Sequence, residues 1–176
     1  MENLEQKEID RYWSDGAENY SWIIDDELSS FRVKKWTKKI TENIFSSQKP
    51  KILDAGCGPG FFTIILNQAC METVGIDGAE KMLQEARLKA ARLGLAPVFR
   101  KMDCHQLDFA DNTFDAVISR NLTHTLLDHK KVYKEWLRVL KPGGTLLIFD
   151  ANWHLTECDE KLRTESLKRR EECIRL

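Results

Sequence analysis

Apolar positions along this chain fall into two periods that take turns. Five short, nearly continuous apolar runs, at Ile52-Leu53, Thr73–Asp77, Pro97–Phe99, Phe114–Ser119 and Thr145–Phe149, read as strands buried on both faces. The stretches between them switch to helical spacing. Phe61, Phe62, Ile64, Ile65 and Leu66 open an apolar helix directly after the first strand. Met82, Ala86, Ala90 and Leu93 mark another over Ala79–Leu93, with Gly94 as its C-cap. Val132, Trp136, Leu137, Val139 and Leu140 define a further helix, which has to stop before Lys141-Pro142-Gly143-Gly144. Alternating β and α units predict a doubly wound α/β fold, a mostly parallel sheet with helices on both faces. Small ligands bind such sheets at the carboxyl ends of the strands, so residues there are the first candidates for function.

Ahead of the first strand, Leu28, Val33, Trp36, Ile40 and Ile44 trace a helical stripe suited to packing on the sheet. An aromatic-rich segment with Tyr12, Trp13 and Tyr20 precedes this first helix proper. Beyond the fifth strand, Thr156–Leu176 reads as a charged helix. The expected organisation is therefore a helical lid over residues 1–46, an α/β core over 47–155 and a C-terminal helix over 156–176. Lys34, Lys35, Lys38 and Lys39 follow acidic residues, and we read them as a solvated helix face.

Composition narrows the class without naming it. With 176 residues and 42% hydrophobic content, the chain suits one domain around a single core. A formal charge of −1 offers no electrostatic footprint for nucleic acid. No apolar run reaches membrane-spanning length, and the polar Met1–Asp10 does not resemble a secretory signal, so the expected location is cytoplasmic. Cys57, Cys70, Cys104, Cys158 and Cys173 lack C-x-x-C spacing, which suggests reduced thiols, no disulfide framework and no metal site.

The densest signal is Lys51–Gly60, K-I-L-D-A-G-C-G-P-G. A strand ending in Asp54 runs into a turn with glycine at Gly56, Gly58 and Gly60, and a helix start then points its free N–H groups back at the turn. The dinucleotide fingerprint G-x-G-x-x-G fails here, because Phe61 stands where its last glycine belongs, and no Gly-Lys-Ser/Thr ending marks a P-loop. L-D-A-G-C-G-P-G instead resembles the E/D-x-G-x-G-x-G pattern of the class I S-adenosylmethionine-dependent methyltransferases, of the small-molecule, methyltransferase-11/25-like type. Asp77, Asp103 and the Lys141–Gly144 turn, similar to the family's L-K-P-G-G-x-L, follow in the family's order.

The resemblance implies a Rossmann-like fold, S-adenosylmethionine as cofactor and S-adenosylhomocysteine as product, with in-line methyl transfer to a small-molecule acceptor. It places Asp54, Gly56, Cys57 and Gly58 at the cofactor, together with Gly78 and Met82. Asp77 matches the acid that holds the ribose diol, and it also suits a helix N-cap. Asp103 matches the acceptor for the adenine amino group, and Cys104 contributes its backbone N–H. Arg120 stands where it meets the methionine carboxylate or the substrate, unless it is simply exposed. Tyr20 touches the cofactor or packs in the core. Trp13, His124, Trp153 and His154 are the substrate-side candidates, His124 as a base or as plain surface. No catalytic nucleophile is required.

The family's sheet normally adds an antiparallel hairpin beside the fifth strand, and the residues after Asp150 leave no room for it. The expectation is a sheet lacking that hairpin, with self-association through the open edge of the fifth strand. Two alternatives to an active methyltransferase stand beside it: a non-catalytic or truncated S-adenosylmethionine-binding protein, and a nucleotide-dependent oxidoreductase.

Overall fold

The structure is a computed structural model and describes residues 4–44, 49–151 and 159–174. Its central element is β1 (Lys51–Ala55), flanked by β2 (Glu72–Asp77) and β4 (Phe114–Arg120). β3 (Val98–Lys101) lies outside β2, and β5 (Leu140–Phe149) lies outside β4. All four pairings are parallel, with Leu53 opposite Val74 on one side and Val117 on the other. The order β3-β2-β1-β4-β5 reverses direction between β1 and β4, which opens a crevice at their carboxyl ends. β5 is an edge strand among the described residues.

Side-chain alternation assigns each face its partner. Ile52, Ala116 and Ile118 point to one side, against Phe61, Phe62, Ile65 and Leu66, which include the inward residues of α4 (Phe61–Gln68). Leu53, Ala55, Val74, Ile76 and Val117 point to the other, against Val132, Trp136 and Val139 of α6 (His129–Val139). α5 (Glu80–Arg92) buries Met82, Ala86 and Ala90 of the predicted stripe together with Leu83, whereas Leu93 caps the helix in an exposed position, and Gly94 takes the left-handed conformation just beyond it. Lys141–Gly144 is not a turn ahead of β5 but a bulge within it, between the pairs Phe114–Leu140 and Ala116–Thr145.

The N-terminal part differs most from expectation. The aromatic segment is itself helical, as α1 (Leu4–Asp15) and α2 (Ala17–Leu28), divided at Gly16. The stripe from Leu28 to Ile44 is not one helix, since α3 (Arg32–Thr41) begins only after a break. Ser29 and Ser30 cause that break: their hydroxyls donate to the carbonyls of Asp26 and Glu27 and end α2. α2 turns Ala17, Ser21, Ile24 and Glu27 inward, and the α3 lysines face solvent as expected. Lys89 of α5, only 2% exposed, donates to Ser21 Oγ at 2.5 Å and pairs with Asp25 at 2.8 Å, so a buried charge fastens α2 to the core. The described part of the C-terminal helix is α7 (Glu160–Ile174). No helix among the described residues is long and apolar enough to cross a membrane.

Gly75 offers a direct check of the packing beneath the crevice. A β-carbon there would lie 2.6 Å from Thr63 Oγ1 and 2.9 Å from Phe99 Cδ1, with Cys57 Sγ at 3.0 Å. Gly75→Ala is expected to cost about 1–3 kcal/mol of unfolding free energy by overpacking. Urea denaturation of the variant beside the parent measures it.

Candidate functional site

The site grows from the join between β1 and α4. Asp54 ends β1 inside the protein, and its Oδ2 accepts from Thr63 N–H at 2.9 Å and from Thr63 Oγ1 at 2.7 Å. One carboxyl thus satisfies an N–H in the first turn of α4, which has no partner within its own helix. Only five residues, Gly56–Gly60, separate β1 from α4 under that clasp. The chain manages it because Gly56, Gly58 and Gly60 all take positive φ, at 69°, 51° and 86°. A β-carbon on Gly56 would strike the Leu122 side chain, whereas one on Gly58 would find only Tyr20, at 3.8 Å. The Gly58 face of the turn is therefore open to a ligand.

β2 delivers the second carboxylate. Asp77 Oδ2 accepts from Gly58 N–H at 2.9 Å, and Oδ1 accepts from Ala79 N–H at 2.8 Å. Asp77 is not the N-cap of α5, which is Ala79 without a side-chain cap bond; it instead holds the Ala79 N–H from two residues back and reaches the glycine turn as well. Each oxygen keeps a lone pair for a further donor. Burial pushes Asp54 up to about 7 and Asp77 up to about 6, against the lowering effect of these N–H bonds. Gly78 lies so close to the Asp10 carboxylate that a side chain there would collide with it, which seats α1 on this edge of the site.

Beyond β3, Asp103 Oδ1 accepts from His105 N–H at 2.8 Å and lies 2.6 Å from His105 Nδ1. His105 Nε2 accepts from Asp128 N–H at 3.2 Å, so the ring proton sits on Nδ1 and points at Asp103. His105 escaped the sequence reading, and an imidazole two residues from a candidate acid was the only signal available. Cys104 is buried, and burial pushes both its thiol and that of Cys57 up. These thiols are therefore packing groups.

Arg120 ends β4. Its Nη2 donates to the buried Glu27 Oε2 at 2.9 Å, and its guanidinium lies 5.1 Å from the ring centres of Trp36 and Phe61. Nη1 is buried without a hydrogen-bond partner.

Most of these groups line one cleft of about 950 Å³, the solvent at its mouth included. It brings together Asp54, Gly56, Cys57, Gly58, Asp77, Gly78, Met82, Asp103, Cys104 and Arg120, with Tyr20 and Trp13 above them. His124 is elsewhere: it stands in an adjoining cavity, its ring 6.5 Å from Trp13. Trp153 and His154 lie outside the described residues.

The family model of the methyltransferase domain matches residues 53–148. The chain belongs to this family, the class I S-adenosylmethionine-dependent methyltransferases. It is 33% identical over 129 residues to phosphatidylethanolamine N-methyltransferase of Cereibacter sphaeroides, covering 72% of this chain and 63% of that protein. Over 118 residues it is also 33% identical to demethylmenaquinone methyltransferase of Thermus thermophilus, covering 66% and 54%. A crystal structure of a candidate S-adenosyl-L-methionine-dependent methyltransferase from Methanococcus maripaludis superposes with TM-score 0.71 at 21% identity, over 92% of this chain and 74% of that one, and shows the same fold. The chain spans less than two thirds of the length of either curated relative.

The buried Asp54 has a measurable consequence. Its folded pKa of about 7 lies above the ordinary 3.8, so the native state holds this proton more tightly than the unfolded chain does. Stability from this group is full below about pH 4 and is lost as pH rises through about 7. Unfolding free energy is expected to drop by on the order of 2–4 kcal/mol across that window. Asp54→Asn keeps an acceptor for Thr63 and should flatten this part of the profile, as urea titrations from pH 4 to pH 8 would show.

Proposed function

We propose that the cleft binds S-adenosylmethionine and that the chain serves methyl transfer to a small-molecule acceptor, releasing S-adenosylhomocysteine. The observation that carries this is convergence: the ends of β1, β2, β3 and β4 bring the glycine turn, Asp77, Asp103 and Arg120 to one cleft. The residues fit that cofactor. Asp77 has lone pairs left for a ribose diol, and the open face of Gly58 admits close approach. Asp103, with Oδ1 occupied by His105, has Oδ2 for an exocyclic amine, and the Cys104 backbone N–H lies beside it for a ring nitrogen. Arg120 Nη1 has no partner and suits the carboxylate of the amino-acid end. Tyr20 and Met82 wall the middle.

When bound, S-adenosylmethionine supplies a methyl group already activated by its sulfonium. The chain then has to align the acceptor and keep water out. α1 and α2 serve that purpose here, since Trp13 and Tyr20 line both the cleft and the neighbouring cavity. Trp13 and His124 accordingly fall on the acceptor side. The two curated relatives are named for an amine lipid and for a menaquinone precursor, so small-molecule acceptors are the class proposed. The free thiols at Cys57, Cys70 and Cys104 suit a reducing, cytoplasmic setting.

Calorimetric titration should show S-adenosylmethionine and S-adenosylhomocysteine binding, with NAD giving no heat. Asp77→Ala should weaken both by about 1–3 kcal/mol, the worth of hydrogen bonds to a charged acceptor. Unchanged affinity would remove Asp77 from the ribose. His105→Ala should weaken binding about five- to tenfold by releasing Asp103, a loss of about 1 kcal/mol. His105→Asn places an amide N–H where Nδ1–H stood and should recover most of it.

A further inference from the structure

The cavity beside the cleft has a chemistry of its own. It is open to solvent, takes in about 1650 Å³ with the solvent at its mouth included, and shares Ile9, Trp13, Tyr20, Asn121, Thr125 and Leu126 with the cleft, so the two spaces adjoin. Trp13 is its hub. Tyr12 packs 5.5 Å away at 85°, Tyr20 at 6.0 Å and 71°, and His124 at 6.5 Å and 74°. Rings set nearly perpendicular around one point form a corner, and aromatic faces carry negative potential. Glu5 and Glu8 of α1 add two carboxylates to the same wall. No lysine or arginine lines the cavity among the described residues.

We infer that this cavity is the acceptor site and that the acceptor is a small amine, held as its methylated ammonium by the aromatic corner with Glu8. The inference rests on the proposed reading of the adjoining cleft as the donor site. Charge decides it. In methylation of an amine, the nitrogen lone pair forms the new C–N bond while the C–S bond breaks and its electron pair stays on sulfur. Positive charge thereby moves from sulfur to nitrogen, and a proton carried by that nitrogen leaves to water through the cavity mouth. A wall of carboxylates and aromatic faces stabilises a cation arriving in it. For a phenolate or enolate acceptor the same wall works the other way, because such an acceptor has to enter as an anion. The cavity chemistry therefore separates two acceptor classes that the fold alone leaves equal.

The experiment titrates the full chain by calorimetry with choline, with its neutral carbon isostere 3,3-dimethyl-1-butanol, with 4-nitrophenolate and, separately, with S-adenosylhomocysteine. The expected result is choline binding at least tenfold more tightly than the isostere and more tightly than 4-nitrophenolate. Glu8→Gln and Tyr12→Leu touch the second cavity alone, and each should weaken choline at least threefold while S-adenosylhomocysteine affinity stays within twofold. Equal binding of choline and its isostere, no binding of choline, or preference for 4-nitrophenolate overturns the amine assignment, even where S-adenosylhomocysteine binds normally. Normal choline binding with no S-adenosylhomocysteine binding supports the amine cavity and removes the donor reading instead.

Discussion

The architecture of this crevice hangs on the two hydrogen bonds that Thr63 makes to one oxygen of Asp54. β1 must hand the chain to α4 within five residues, and a helix start exposes N–H groups that need partners. A carboxyl drawn inside the protein answers that need at the cost of desolvation, visible in its raised pKa. With α4 fixed by its first turn, the backbone between has one path, and three glycines in the left-handed region follow it. Asp77 repeats the device from the next strand, gripping Gly58 and Ala79 together. The turn is thus tied from both strands, and its open face is aimed before any ligand arrives.

What the sequence shows of this depends on the range of the force. β1, its turn and α4 are legible because strand, glycines and helix lie within twenty residues, and each local preference agrees with its neighbour. The parallel sheet between two layers of helices is legible as well, since alternating units admit few topologies. The N-terminal stripe looks continuous in period alone, but two serine hydroxyls end α2 and divide it from α3. The Lys141–Gly144 stretch was recognised as a turn, yet its place within a strand depends on register against Phe114 and Ala116, which no local pattern carries.

Within the site, the same divide separates residues from their partners. Asp77, Asp103 and Arg120 could be named because strand ends are known places for ligands. Glu27 could not, since it meets Arg120 across 93 positions and reads in sequence as one more acid on a helix. Ser21 and Lys89 are joined across 68 positions, with Lys89 buried where a lysine is ordinarily solvated. His124 and Trp13 meet only because α1 folds back over the carboxyl edge.

These long-range ties fix α2 on the core. α2 is held to the core by the bonds of Lys89 with Ser21 and Asp25, and by Glu27 on Arg120. The first set lies on α5, away from the cleft, and can stay closed whatever the cleft contains. The second is shared with the cleft, because Arg120 commits Nη2 to Glu27 and leaves Nη1 buried without a partner. An unpaired N–H on a buried guanidinium costs about 1–3 kcal/mol. An anionic group reaching Nη1 would relieve that cost without breaking the Glu27 bond, so such a ligand and α2 would strengthen one another through a single side chain. Asp10, on α1, works by charge: it raises the pKa of Asp77, and with Asp77 and Asp103 it makes the opposite wall of the cleft acidic. That wall favours a cationic ligand over its neutral counterpart. The sulfonium of the donor proposed for this cleft would therefore meet a better-matched wall than the thioether left after its methyl has gone.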